Sequence, residues 1–121
     1  SQNLHAELLL RRLGLTRGGN GSIAAGQAVV TAMLTEAGVS PAQVSLSDGS
    51  GMSSYNRTAP RATVKLLQFA ARQPWAAQFR ASLPVGGVDG TLRRRFAGTP
   101  LEGKIVAKTG TLNATNALAG W

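Results

Sequence analysis

The first stretch of the chain carries apolar residues at helical spacing. Its leucines recur so that one face of a helix is apolar, at Leu4, Leu8, Leu9 and Leu13. This pattern predicts an amphipathic α-helix. Glu7 and Arg11 lie four residues apart, at the spacing of a helical ion pair. Gly14 follows, and because glycine commonly ends helices we expect the helix to stop there.

The middle of the chain predicts two more helices with a short strand between them. Ser22 is expected to cap a helix that runs to about Ala37 and ends at Gly38. The segment 44–47 alternates between apolar and polar residues and predicts a strand. A further helix starts near Pro60 and stops before Pro74.

The last third of the chain is expected to be richer in strands. Pro74 opens a short helix, residues 91–96 form a basic helical turn, and 103–109 form a strand. Residues 110–113 are expected to turn, and 115–121 form a second strand. Helices followed by an adjacent strand pair favour an α+β fold over a regular βαβ series.

Composition excludes several classes of function. The 121 residues contain no cysteine, one histidine and five acidic side chains, so thiol chemistry is absent and a metal site has few ligands to draw on. No apolar run is long enough to span a membrane. The net charge of +8 is explained by a solvated basic surface or by an anionic partner. Nucleic acid is disfavoured because no recognition motif accompanies the charge.

Lys108, Thr109, Gly110 and Thr111 form the segment with the strongest chemical signal. A lysine at the end of a partly buried strand needs an anionic or hydrogen-bonding partner. The two threonines are two residues apart and face the same side of an extended chain, and Gly110 allows another backbone to approach. Together they can bind a carboxylate or an oxyanion, although an ordinary edge strand would have the same composition.

Ser1 and Asn3 precede the first predicted helix and supply a second candidate group. Two residues apart at a helix start, they can project toward one point, or they can simply cap the helix. A serine–x–asparagine element together with Lys-Thr-Gly belongs to a known acyl-transfer site, which a Ser-x-x-Lys motif completes.

The chain resembles the class C low-molecular-mass penicillin-binding proteins, which are serine D-alanyl-D-alanine carboxypeptidases and endopeptidases. Four segments carry the resemblance in order: Ser1–Asn3 with its leucine-rich helix, Asp48–Asn56, Leu83–Leu92, and Gly103–Leu112 with the strand to Trp121. The resemblance implies an α+β, three-layer serine β-lactamase/transpeptidase-like fold. Residues 1–121 are then expected to be the C-terminal portion of this domain, truncated at both ends, with helices packed on an antiparallel sheet.

Two features depart from the family pattern. No serine of the chain has a lysine three residues later, so the nucleophile is expected upstream of Ser1 and the isolated chain is expected to be inactive. Ser54 and Asn56 also fit serine–x–asparagine, but their surroundings match a different family segment, so Ser1 and Asn3 are preferred.

The resemblance implies a role for each candidate residue. Lys108 would attract the terminal carboxylate of a peptidoglycan stem peptide, Thr109 and Thr111 would hold it, and the Thr111 N–H would form half of an oxyanion hole. Ser1 would relay a proton to the leaving amine, and Asn3 would orient the substrate amide and the upstream lysine.

The same resemblance implies partners and a location. It predicts acylation by β-lactams, no cofactor or metal, and export to the periplasm or outer cell surface. A non-catalytic module that binds cell-wall peptides is the alternative. The preference between carboxypeptidase and endopeptidase action stays open, as does the oligomeric state.

Overall fold

The computed structural model describes residues 2–113 and 115–121, which form two compact units. The first unit ends at Leu66 and the second spans Leu67–Trp121. The helices are α1 (Asn3–Arg17), α2 (Ile23–Glu36), α3 (Pro60–Ala70) and α4 (Ala76–Ala81). The strands are β1 (Val44–Ser45), β2 (Arg57–Thr58), β3 (Ala107–Leu112) and β4 (Thr115–Gly120), and 3₁₀ turns lie at Pro41–Gln43 and Gly90–Leu92.

The packing of α1 against α2 depends on two glycines. Gly14 does not end α1 as predicted: the helix continues to Arg17, and Gly14 is buried. A Cβ built on Gly14 would lie 2.7 Å from the Gly26 nitrogen, and one built on Gly26 would lie 2.2 Å from the Leu10 carbonyl oxygen. Gly14 and Gly26 therefore let the backbones of α1 and α2 touch. A glycine that only caps a helix would not need to allow this close approach.

The ends of α2 agree with the sequence pattern. The Ser22 hydroxyl accepts a hydrogen bond from the Ala25 N–H at 3.1 Å, as an N-cap residue does. At the other end Gly38 has a φ of 79°, a left-handed conformation that glycine adopts without steric cost. Both predicted boundaries are confirmed because the signals that set them are local.

The two antiparallel strand pairs differ in length. The predicted strand at 44–47 shortens to β1, which pairs over two residues with β2. In the second unit β3 and β4 pair over six residues, from Ala107 opposite Gly120 to Leu112 opposite Thr115. Thus β3 begins later than predicted, and Gly110 and Thr111 lie within the strand and not in a turn.

The second unit packs β3 onto the turn at Gly90–Leu92. Leu92 is fully buried and Ala107 is 2% exposed. The predicted basic helical turn is shorter than expected, because the 3₁₀ turn ends at Leu92 and the three arginines that follow are exposed.

Among the described residues, no helix has both the length and the apolar composition that a membrane span requires.

Candidate active-site strand

The hydrogen-bond register of β3 decides which edge its backbone groups face. Val106 and Trp121 exchange both backbone hydrogen bonds, at 2.8 and 2.9 Å. In an antiparallel pair such residues alternate with residues whose N–H and C=O point to the other edge. Lys108 and Gly110 therefore direct their backbone groups toward β4.

Thr109 and Thr111 direct their N–H and C=O groups to the opposite edge of β3. The backbone groups of Ala107 face the same edge as those of Thr109 and Thr111, and the Ala107 N–H donates to the Pro84 carbonyl there at 3.0 Å. Beyond Ala107 the edge presents the N–H groups of Thr109 and Thr111 one after the other. Each of these N–H groups can donate a hydrogen bond to an oxygen atom of a ligand that lies along the edge.

The side chains of the motif are divided between the two faces of the strand. Thr109 and Thr111 share a face, as predicted, and Lys108 lies on the other. The Lys108 ammonium nevertheless donates to the Thr109 carbonyl oxygen, which points off the open edge. The cation and the two N–H groups thus lie along one edge of β3.

The strand is partly buried, as expected. The Lys108 side chain itself is exposed, so burial does not force an anionic partner on it. A Cβ built on Gly110 would meet only an ordinary contact, the Ala117 Cβ at 3.7 Å. Within the described chain, therefore, Gly110 does not serve a close backbone approach.

A residue that the motif does not contain reaches Thr109. The Thr91 and Thr109 hydroxyl oxygens lie 3.0 Å apart and share a hydrogen bond. The only sequence signal for Thr91 is a weak one, its place in the Leu83–Leu92 segment. The contact joins residues 18 positions apart, which no local pattern reveals.

Asn3, Ser54 and Asn56, from the two serine–x–asparagine candidates, lie in the first unit, and Ser1 falls outside the described residues. Asn3 is exposed and is the first residue of α1, after the N-cap residue Gln2, whose side chain makes no capping hydrogen bond. Asn3 is thus not the N-cap residue of α1. The structure brings Lys108, Thr109, Gly110 and Thr111 together on one strand, and Asn3 belongs to the other unit.

The alternative asparagine, Asn56, is held in a loop. Its side-chain oxygen accepts from the Ser47 N–H at 2.7 Å, and its nitrogen donates to Asp48 at 2.8 Å and to the Ser53 carbonyl at 3.1 Å. All these bonds hold the Asp48–Asn56 loop. The Asn56 side chain therefore stabilises this loop, and both its oxygen and its nitrogen are engaged in doing so.

Asp48 is the acceptor at the centre of this loop. Its carboxylate accepts from the Gly51 N–H at 2.7 Å and the Ser53 N–H at 2.6 Å, in addition to Asn56. Burial raises the pKa of Asp48, but the hydrogen bonds from Asn56 and the backbone outweigh burial and hold the pKa below its ordinary value.

Glu7 ties α1 to the same loop. Its carboxylate accepts from the N–H groups of Gly49, at 3.2 Å, and Ser50, at 2.9 Å. Hydrogen bonds from the Ser50 side chain and the Gly49 backbone lower the pKa of Glu7. The expected pair with Arg11 is replaced by this contact, and Arg11 donates instead to the Gly21 carbonyl at 3.2 Å.

Comparison with known proteins identifies the family of the chain. The model of the D-Ala-D-Ala carboxypeptidase 3 (S13) family matches residues 1–121. The D-alanyl-D-alanine carboxypeptidase of Actinomadura sp. is 42% identical over 126 residues, covering 100% of this chain and 23% of that protein. The D-alanyl-D-alanine carboxypeptidase DacB of Haemophilus influenzae is 33% identical over 98 residues, covering 79% of this chain and 20% of that protein.

A solved structure has the same fold. The crystal structure of penicillin binding protein 4 (dacB) from Haemophilus influenzae matches 98% of this chain and 27% of its own, with a TM-score of 0.88 and 30% identity. The same protein in complex with a β-lactam matches equally well. The likeness confirms the predicted α+β class. The chain spans about a quarter or less of the length of these relatives.

The fold, the Lys-Thr-Gly strand and the segment order together define a portion of a low-molecular-mass penicillin-binding protein. The chain belongs to the D-Ala-D-Ala carboxypeptidase 3 (S13) family.

Proposed function

We propose that the full-length protein containing this chain is a serine-type D-alanyl-D-alanine carboxypeptidase acting on peptidoglycan stem peptides. The observation that carries the proposal is the open edge of β3, where the Lys108 ammonium donates to the Thr109 carbonyl and the N–H groups of Thr109 and Thr111 face outward. Family membership supplies the reaction class.

The proposed reaction proceeds through an acyl-enzyme. A serine upstream of this chain attacks the carbonyl between two D-alanines, the serine proton passes to the amide nitrogen, the C–N bond breaks, and the terminal D-alanine leaves as an amine. Water then hydrolyses the ester. The Thr111 N–H, which points off the open edge, stabilises the developing oxyanion together with the N–H of the nucleophile, and loss of one such donor costs on the order of a hundred-fold in turnover.

The remaining roles concern the substrate carboxylate and proton transfer. Lys108 attracts the terminal carboxylate, and the Thr109 and Thr111 hydroxyls hold it. Ser1 relays a proton to the leaving amine, and Asn3 orients the substrate amide. The structural engagement of Asn56 supports Asn3 over Asn56 for this role.

The proposal includes location and inhibition. Peptidoglycan lies outside the cytoplasmic membrane, so the protein acts in the periplasm or at the outer surface. β-Lactams are expected to acylate the same serine. Endopeptidase action uses the same chemistry with a longer amine leaving group, and parallel assays on a stem peptide and a cross-linked dimer measure the preference.

The decisive experiment compares two lysines of the full-length protein. Lys108→Ala is expected to slow both D-alanine release and labelling by a fluorescent penicillin by on the order of a hundred-fold, with unchanged thermal unfolding. Lys104→Ala, at an exposed lysine just before β3, is the charge-matched control and should leave both rates unchanged. Normal acylation of the Lys108 variant would refute the assignment.

A second measurement separates catalysis from simple binding. The isolated 121-residue chain contains no Ser-x-x-Lys, and residues of such a site act as a unit, so it should remain unlabelled by penicillin. Labelling of this chain alone would contradict the proposal. A full-length protein that binds stem peptides without releasing D-alanine would instead be a non-catalytic cell-wall module.

A further inference from the structure

Thr91 stands on a turn that packs directly against β3. It is the middle residue of the 3₁₀ turn Gly90–Leu92, and its hydroxyl oxygen lies 3.0 Å from that of Thr109. The next residue, Leu92, is fully buried and its carbonyl accepts from the Gly87 N–H at 3.0 Å. The buried leucine thus fixes the position of the threonine beside it.

The residue on the other side of the turn is fixed as well. The Asp89 carboxylate accepts from the Val85 N–H at 2.7 Å, and the Asp89 N–H donates to the Val85 carbonyl at 3.2 Å. Gly90 has a φ of 50°, and a Cβ there would meet Pro84 at 3.1 Å. Thr91 is therefore held by contacts on both sides, which suits a group that positions another.

Proton counting decides the direction of the hydrogen bond once an anion is bound. A threonine hydroxyl has one proton to donate and can accept through its lone pairs, whereas a carboxylate only accepts. If Thr109 donates to Thr91, it has no proton left for a carboxylate. If Thr91 donates to Thr109, the Thr109 proton is free to point at the substrate.

We propose that Thr91 is a positioning residue that donates to the Thr109 hydroxyl and so directs the Thr109 proton to the terminal carboxylate of the substrate. This inference rests on the proposed function, in which Thr109 holds that carboxylate. The two hydroxyls form a chain ending on the anion, and hydrogen bonds in such chains strengthen one another.

The test uses four variants of the full-length protein: Thr91→Val, Thr91→Ser, Thr109→Val and the double valine variant. Valine keeps the shape of threonine and removes the hydroxyl. Thr91→Val is expected to lower kcat/KM for a D-Ala-D-Ala peptide by about three- to ten-fold, mainly through KM. Thr91→Ser retains the hydroxyl and should restore kcat/KM to within about two-fold of wild type.

The double variant separates positioning from packing. If Thr91 acts through Thr109, the Thr91→Val change should cost nothing further in the Thr109→Val background. An equal loss in both backgrounds, or failure of Thr91→Ser to restore activity, would overturn the proposal. Thermal unfolding of each variant, with Thr35→Val as the control, checks the fold; Thr35 is exposed on α2 and its hydroxyl also makes a hydrogen bond.

The outcomes also distinguish this inference from the function on which it rests. If kcat/KM is normal for Thr91→Val but lowered for Lys108→Ala and Thr109→Val, only the proposed role of Thr91 is refuted. Normal kinetics in all three would remove the proposed function itself.

Discussion

The crossing of α1 and α2 permits a quantitative prediction at Gly26. A Cβ at this position would lie 2.2 Å from the Leu10 carbonyl oxygen and 2.9 Å from the Leu10 carbonyl carbon and Cγ. The first contact involves backbone, which cannot rotate away as a side chain can. Gly26→Ala therefore requires the two helices to separate by roughly 1 Å, and even a gap of this size forfeits a quarter to a half of the dispersion energy of the atoms involved.

Two opposing effects set the magnitude of the change. Overpacking of a tight contact costs about 1–3 kcal/mol, and a clash with backbone puts Gly26→Ala near the upper end of that range. Alanine is a better helix former than glycine by about 1 kcal/mol. We expect a net loss of about 2 kcal/mol in the free energy of unfolding.

Urea unfolding of the full-length protein, followed by tryptophan fluorescence and circular dichroism, measures this loss. Gly21→Ala is the matched control, because a Cβ there has no neighbour nearer than 3.8 Å, and it should change stability by less than about 0.5 kcal/mol. A Gly26→Ala protein as stable as wild type would show that the helices do not approach as closely as the structure has them.

Three further predictions concern the first unit. Ser22→Ala removes the N-cap of α2 and should lower stability by about 1 kcal/mol in the same assay; no change would mean that another group caps the helix. Because the folded-state pKa of Glu7 is lowered, its contribution to stability is complete above the unfolded-state pKa and is lost as pH falls through the folded-state value. Glu7→Gln should therefore destabilise the protein at pH 7 and flatten the loss of stability in acid, unlike the control Glu36→Gln, and identical acid profiles would contradict this account. Asn56→Ala leaves the Ser47 N–H without its acceptor and should cost about 1–3 kcal/mol of stability, whereas Asn3→Ala should slow acylation in a protein of normal stability; the reverse result would assign the second motif to Asn56.

Local signals in the sequence predicted much of the secondary structure. The Ser22 cap, the Gly38 stop and the pairing of two C-terminal strands each depend on a few neighbouring residues. The Lys-Thr-Gly segment and the motifs around it predicted the family, which the comparisons confirm. The same signals ended β3 at Thr109 instead of Leu112, because glycine and threonine tolerate both turn and strand.

The sequence by itself determined which chemical groups are present and the class of protein to which they belong. The tertiary structure alone decided which groups meet: Gly14 with α2, Glu7 with a loop 42 residues away, and Thr91 with Thr109. It also decided which edge of β3 the Thr111 N–H faces, since this depends on the register with β4. The physical reason is that these contacts join residues distant in the chain, and their geometry is set by packing and pairing that no local pattern encodes.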